Sequence, residues 1–294
     1  MKITAQQTDR LAAIVFKTAG WLSVVVLLSI FFMLVFNGAK AFRSISPGDF
    51  FFGLNWNPAA YGQPKFGILS LMFSTLLVTL GAMLIAVPLG IGTAAYLAVF
   101  APRRVYRLIK PVVELFAGVP SVAVGFAGIT VVAPAIAWVF GLSNGLNALN
   151  GAFLLALMSL PTIIIVAEEA IRAVPPTFQE ASYALGATPQ KTLWHVTLPA
   201  AMSGILAAVM LGMGRALGET MTVLMATGNA SAFPGGFFDS VRTMTATIAI
   251  ELGETAQGTA HYYVLFAVGA VLFGISLTIN IISEKIARRF RYKI

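Results

Sequence analysis

Long apolar runs, separated by short polar or basic stretches, dominate the chain. Six of them predict membrane-crossing helices, near residues 18–37, 67–100, 111–140, 151–166, 199–227 and 262–282, by the criterion of about 20 mainly apolar residues per crossing. The second run is too long for one perpendicular crossing and predicts a tilt or a projection around Pro88. The third is interrupted by Pro120 and Pro134, and the fourth contains Pro161. Between the fifth and sixth lies a shorter apolar stretch, Thr243 to Leu252, which predicts a re-entrant or interfacial helix. The first run exceeds the usual length of a signal-peptide core and has no small-x-small cleavage site after it, so it predicts an uncleaved span. The expected fold class is all-α, a polytopic membrane protein with six transmembrane helices.

Composition agrees. The chain is 58% hydrophobic and 10% charged, against about 25% charged in soluble domains. Its net charge of +8 does not point to nucleic acid, because the basic residues sit in tails and loops. Six spans with both termini cytoplasmic put fourteen of the 19 Lys/Arg inside and four outside, the positive-inside bias. Arg103, Arg104, Arg107 and Lys110 are the strongest internal cytoplasmic marker, expected as a solvated loop facing lipid. Trp56 and Tyr61 suit the opposite interface. The absence of cysteine removes disulfide and thiolate chemistry.

No catalytic, metal or cofactor set converges. His195 and His261 are expected on opposite sides of the membrane. Glu168 and Glu169 are neighbours that point apart by roughly 100° on a helix, which favours a solvated or structural role over acid–base work. A G-x-x-x-x-G-K-[ST] phosphate loop is missing from the sequence, so energy for any ATP-driven work must come from a partner.

The polar segment 176–199 predicts a helical hairpin. Thr177 with Glu180 three residues later fits a capping box. Gly186 is placed to end that helix in the left-handed conformation. Thr188-Pro189 restarts a helix with an N-cap and a first-turn proline, and Pro199 opens the next one. Glu180-Ala181-Ser182, three residues, Gly186, nine residues and Val196-Thr197-Leu198-Pro199 resembles the EAA loop of ABC importer permeases, with Ser182 and Val196 as mild departures. The resemblance implies a cytoplasmic coupling loop over 177–199, in which Glu180, Ala181, Ser182 and Gly186 dock on an ATPase subunit.

The fifth apolar run carries two ionisable residues, Arg215 and Glu219. A charge near the bilayer centre costs about 2.5–3.5 kcal/mol on insertion scales, which marks such residues as functional. Four residues apart, they are expected on one helix face, about 6 Å apart along the axis. Two readings stand: a self-neutralising ion pair, or an anion ligand whose guanidinium fork suits phosphate or carboxylate. The run Gly214-Arg215-Ala216-Leu217-Gly218-Glu219-Thr220-Met221 is similar to the GRAxGETM segment of phosphate ABC transporter permeases, nearer the PstC type. The run beginning Glu114-Leu115-Phe116-Ala117-Gly118-Val119-Pro120 looks like that family too. Glu114 itself is expected either to pair with a basic neighbour or to face the pathway.

The resemblance implies a type I ABC importer permease fold (MetI-like). Residues 1–66 would hold the N-terminal segment, first span and outer loop, and residues 67–294 the transporter domain. It implies inorganic phosphate as substrate, with Arg215 and Glu219 in its path, in the cell inner membrane. The partners implied are two ATP-binding subunits, a second homologous permease, an extracytoplasmic phosphate-binding protein and membrane lipid. A permease for another oxyanion, sulfate or molybdate, would lack the GRALGETM run. An ion-driven secondary anion transporter would not need the EAA-like spacing.

Overall fold

The computed structural model describes residues 5–60 and 62–289, with side chains from residue 12 onward. Tyr61 and the basic residues at 290–294 lie outside the described residues. Among the described residues, six helices are long and apolar enough to cross a bilayer.

The first is α1 (Ala5–Ala41), longer at both ends than its apolar run. It leads to a short helix α2 (Pro47–Phe52) and a two-stranded antiparallel ribbon, β1 (Trp56–Asn57) with β2 (Lys65–Phe66), in register Trp56 to Phe66. Helix α3 (Leu69–Ala95) continues through a π-helical turn, Tyr96–Phe100, to complete the second crossing. Here the expected basic loop is instead a helix, α4 (Arg103–Ala117). Its basic residues and its exposed Leu108, Leu115 and Phe116 alternate with helical period, the pattern of a helix lying at an interface. The third crossing therefore starts after the Gly118-Val119-Pro120 break. It runs as α5 (Ser121–Ala127), a π-turn at Gly128–Val132 and α6 (Ala133–Phe140).

Helix α7 (Ala148–Arg172) is the fourth crossing. The hairpin follows as α8 (Pro176–Ala184) and α9 (Pro189–Thr192). Pro199 does not open a separate helix: a π-turn, Leu193–Thr197, joins α9 to α10 (Leu198–Gly218), so that Pro189–Gly218 is one rod. The chain then breaks, resumes as α11 (Met221–Ala226), loops back, and forms the short buried helix α12 (Met244–Glu251). That helix occupies the stretch expected to be re-entrant or interfacial. The last crossing is α13 (Ala260–Arg289).

The three π-turns share a cause. Each is followed, two residues after its end, by a proline: Pro102, Pro134 and Pro199. Proline lacks an N–H and crowds the preceding turn, and a wider turn accommodates both defects while freeing carbonyls. One freed carbonyl finds a side-chain donor: Leu97 O accepts from Arg172 Nη2 at 3.0 Å. Gly128 O, which takes the Ala133 N–H across its π-turn, also accepts from Asn150 Nδ2 at 3.2 Å.

Helices α3, α7 and α10 pack around Ile163, which is fully buried. A Cβ added at Gly90 or at Gly212 would stand 2.6 Å from Ile163, so both glycines let the helices approach closely. A second cluster joins the ends of α1 and α13 to Phe50, Trp56 and Phe66.

Candidate functional site

The hairpin is built largely as its residues dictate. Gly186 has φ +78, the Gly186 N–H bonds to Tyr183 O at 2.9 Å, and the Ala187 N–H bonds to Ser182 O at 3.2 Å. This is a Schellman closure of α8. Thr188 caps α9, its hydroxyl accepting from the Lys191 N–H. The capping box does not form: α8 starts at Pro176, and no side chain caps it. Proline at the first position already suits the orphan N-terminal site, so Thr177 falls one residue inside the helix. Glu180 is therefore free of that duty. It is exposed, as are Ala181 and Gly186, beside the exposed apolar Phe178, Tyr183, Leu185 and Trp194. Ser182 faces inward, where its hydroxyl meets the Thr192 hydroxyl at 2.8 Å and braces the two short helices.

At the base of the hairpin, Glu168 is buried and doubly paired. One oxygen accepts from Lys110 Nζ at 2.7 Å and the other from Arg172 Nε at 2.8 Å. The Arg172 guanidinium also lies over the Tyr106 ring, 4.6 Å from its centre. Burial alone would lower the Lys110 pKa, but the hydrogen bond and charge of Glu168 outweigh it and raise it above the ordinary lysine value. Removing one partner from such a buried cluster costs about 3–5 kcal/mol, because it strands a charge out of water. The solvated or structural role expected of Glu168 and Glu169 divides between them, with Glu168 the structural one. Its neighbour Glu169 is indeed exposed. Glu114 is also exposed and forms no ion pair among the described residues.

Arg215 and Glu219 do not share a helix face. Helix α10 ends at Gly218, and Glu219 has extended backbone, φ −69 and ψ 131. Thr245 Oγ1 donates to the Glu219 carbonyl at 2.9 Å, so α12 supplies the donor that the helix break demands. The Glu219 carboxylate turns to the next helix and accepts from the backbone N–H groups of Thr220 and Thr222 at 3.2 and 3.3 Å. Arg215 is half-buried and reaches elsewhere. It donates to the Ala117 carbonyl at the end of α4, 3.2 Å away, and to Thr162 Oγ1 at 3.4 Å. No salt bridge joins Arg215 to Glu219 among the described residues, so the self-neutralising pair is not the arrangement found.

A second, half-buried node lies toward the opposite end of the bundle. Glu251, at the end of α12, accepts from Trp56 Nε1 at 2.9 Å and Arg242 Nη1 at 2.9 Å, and meets His261 Nε2 at 2.8 Å. It ties β1, the loop before α12 and the start of α13 together.

Residues 86–292 match the family described as the binding-protein-dependent transport system inner membrane component. The chain belongs to that family. Among curated proteins, it is 37% identical over 260 residues to the probable ABC transporter permease protein YqgH of Bacillus subtilis, covering 87% of this chain and 84% of that one. It is 35% identical over 290 residues to the phosphate transport system permease protein PstC of Mesorhizobium japonicum, covering 92% and 88%. Among solved structures, it superposes with a TM-score of 0.65, at 17% identity and 98% coverage of both chains, on a bacterial ABC transporter involved in the import of the acidic polysaccharide alginate. The expected type I importer permease fold is the fold observed.

Proposed function

We propose that this protein is one permease subunit of an ATP-driven importer of inorganic phosphate. The observation that carries the reading is the GRALGETM run. Its arginine stands half-buried inside a membrane-crossing rod, with its donors turned to a neutral carbonyl and a hydroxyl rather than to a carboxylate. A guanidinium held this way keeps its charge available for an anion, and a phosphate oxygen makes the stronger, charge-assisted bond. The phosphate permeases that cover most of the chain support the substrate.

In this reading both termini and the hairpin are cytoplasmic. The exposed face around Glu180, Leu185 and Trp194 receives one of two ATPase subunits. A second homologous permease completes the pathway, and an extracytoplasmic phosphate-binding protein delivers the anion. ATP binding closes the ATPases, displaces the hairpin and rocks the spans between outward- and inward-facing states. Arg215 stabilises the dehydrated anion in transit. Glu219 holds the start of α11 beside the path and offers a carboxylate that a protonated phosphate oxygen can donate to.

The test is phosphate uptake by proteoliposomes carrying this chain, with and without the ATPase, second permease, binding protein and ATP. Uptake that needs the full set, is competed by arsenate and not by sulfate, and is lost in Arg215→Ala is the expected result. Uptake by the chain alone on an ion gradient would overturn it.

A further inference from the structure

Helix α4 joins the hairpin's base to Arg215. At one end its last carbonyl, Ala117 O, takes the Arg215 N–H at 3.2 Å. Two turns earlier Lys110 grips the buried Glu168 at 2.7 Å. Glu168 also holds Arg172 at 2.8 Å, and the hairpin begins four residues after Arg172, at Pro176. The helix has no buried residue of its own and packs mainly on α7. Pro102 bounds it on one side and the Gly118-Val119-Pro120 break on the other. Its position is therefore set by side-chain ties and not by a core.

We infer that Lys110 and Glu168 are positioning residues of the transport cycle: they make α4 a strut that carries hairpin displacement to the Ala117 carbonyl. In the present arrangement that carbonyl occupies Arg215 and competes with an anion for the same N–H. A shift of the strut withdraws or restores the competitor, so the hairpin sets when the guanidinium is open to phosphate. This rests on Arg215 being the anion ligand in an ATP-driven importer.

Phosphate uptake and ATP hydrolysis are measured together in proteoliposomes holding the full complex. Failure of the wild-type complex to import phosphate with ATP would overturn the functional reading itself. The strut is tested by Lys110→Met with Glu168→Gln, which removes both charges and leaves Arg172 a neutral acceptor. The phosphate moved per ATP should fall about tenfold while binding-protein-stimulated hydrolysis stays within about twofold. Lys110→Arg should keep the wild-type ratio. An unchanged ratio in the double variant, or a proportional loss of uptake and hydrolysis, would overturn the inference.

A second measurement needs no disruptive variant. The chain has no cysteine, so spin labels at Leu108 on α4 and Leu185 on the hairpin, 70% and 90% exposed, can be introduced singly and cleanly. In the otherwise wild-type complex their separation should be the same with and without nucleotide. A separation that changes with nucleotide would overturn the strut.

Discussion

Arg215 and Glu219 stand four residues apart and face different partners. The arginine reaches the Ala117 carbonyl, whereas the glutamate folds onto the N–H groups of Thr220 and Thr222. Their roles separate in consequence. Glu219→Gln keeps an acceptor oxygen for both N–H groups and should leave the complex as stable as wild type. Glu219→Ala removes a cap and should cost about 1 kcal/mol. Thermal unfolding of the purified complex distinguishes the two variants, and equal stability would refute the capping role.

At Arg215 the geometry favours a forked donor over a point charge. Arg215→Lys preserves the charge but loses the planar fork that can hold two phosphate oxygens at once. Phosphate uptake should drop at least about tenfold, with ATPase association intact, since one charge-assisted bond is worth about 1.5–3 kcal/mol. Radiolabelled uptake beside co-purification of the ATPase provides the check.

Asn150 is fully buried and donates to Gly128 O and Ala226 O at 3.2 and 3.1 Å. Asn150→Leu would strand the Ala226 carbonyl at a cost of about 1–3 kcal/mol, while Gly128 O keeps the Ala133 N–H. The complex should melt at a lower temperature, while the hairpin, far along α7, should still bind the ATPase.

Gly212→Ala should destabilise the bundle by about 1–3 kcal/mol through overpacking against Ile163. Pairing it with Ile163→Val should recover part of the loss. Strict additivity of the two changes, measured as a double-mutant cycle, would show that they do not meet.

Leu185→Asp should weaken ATPase association. Leu185 is 90% exposed at the tip of the hairpin, so the change should not affect folding. Retained co-purification of the ATPase would remove the hairpin from the docking surface.

The crossings were legible because an apolar run of sufficient length has few alternatives to a helix in lipid. The helix boundaries were less so. Pro199 read as a start signal, yet the turn ahead of it widens and the rod continues. Nothing local at Glu219 announces a break either; the hydroxyl that satisfies it comes from Thr245, twenty-six residues on. Helix α4 was within reach of the sequence: Arg103, Arg107 and Lys110 against Leu108, Val112 and Leu115 have helical spacing, which a count of charges conceals. Glu168 and Glu169 look alike in sequence. Only the packing of α4 on α7 decides which of them is buried.

The first helix packs mainly on α13, and at Gly38 the two backbones nearly touch, with room for no Cβ beside Ala267. In water, stripping such a helix would expose a broad oily face at great cost. In a bilayer the vacated face meets acyl chains of similar polarity, so the loss is one of packing alone. Helix α1 is thus held to its neighbour by the fit of two backbones, and the surrounding lipid neither pushes it on nor pulls it away.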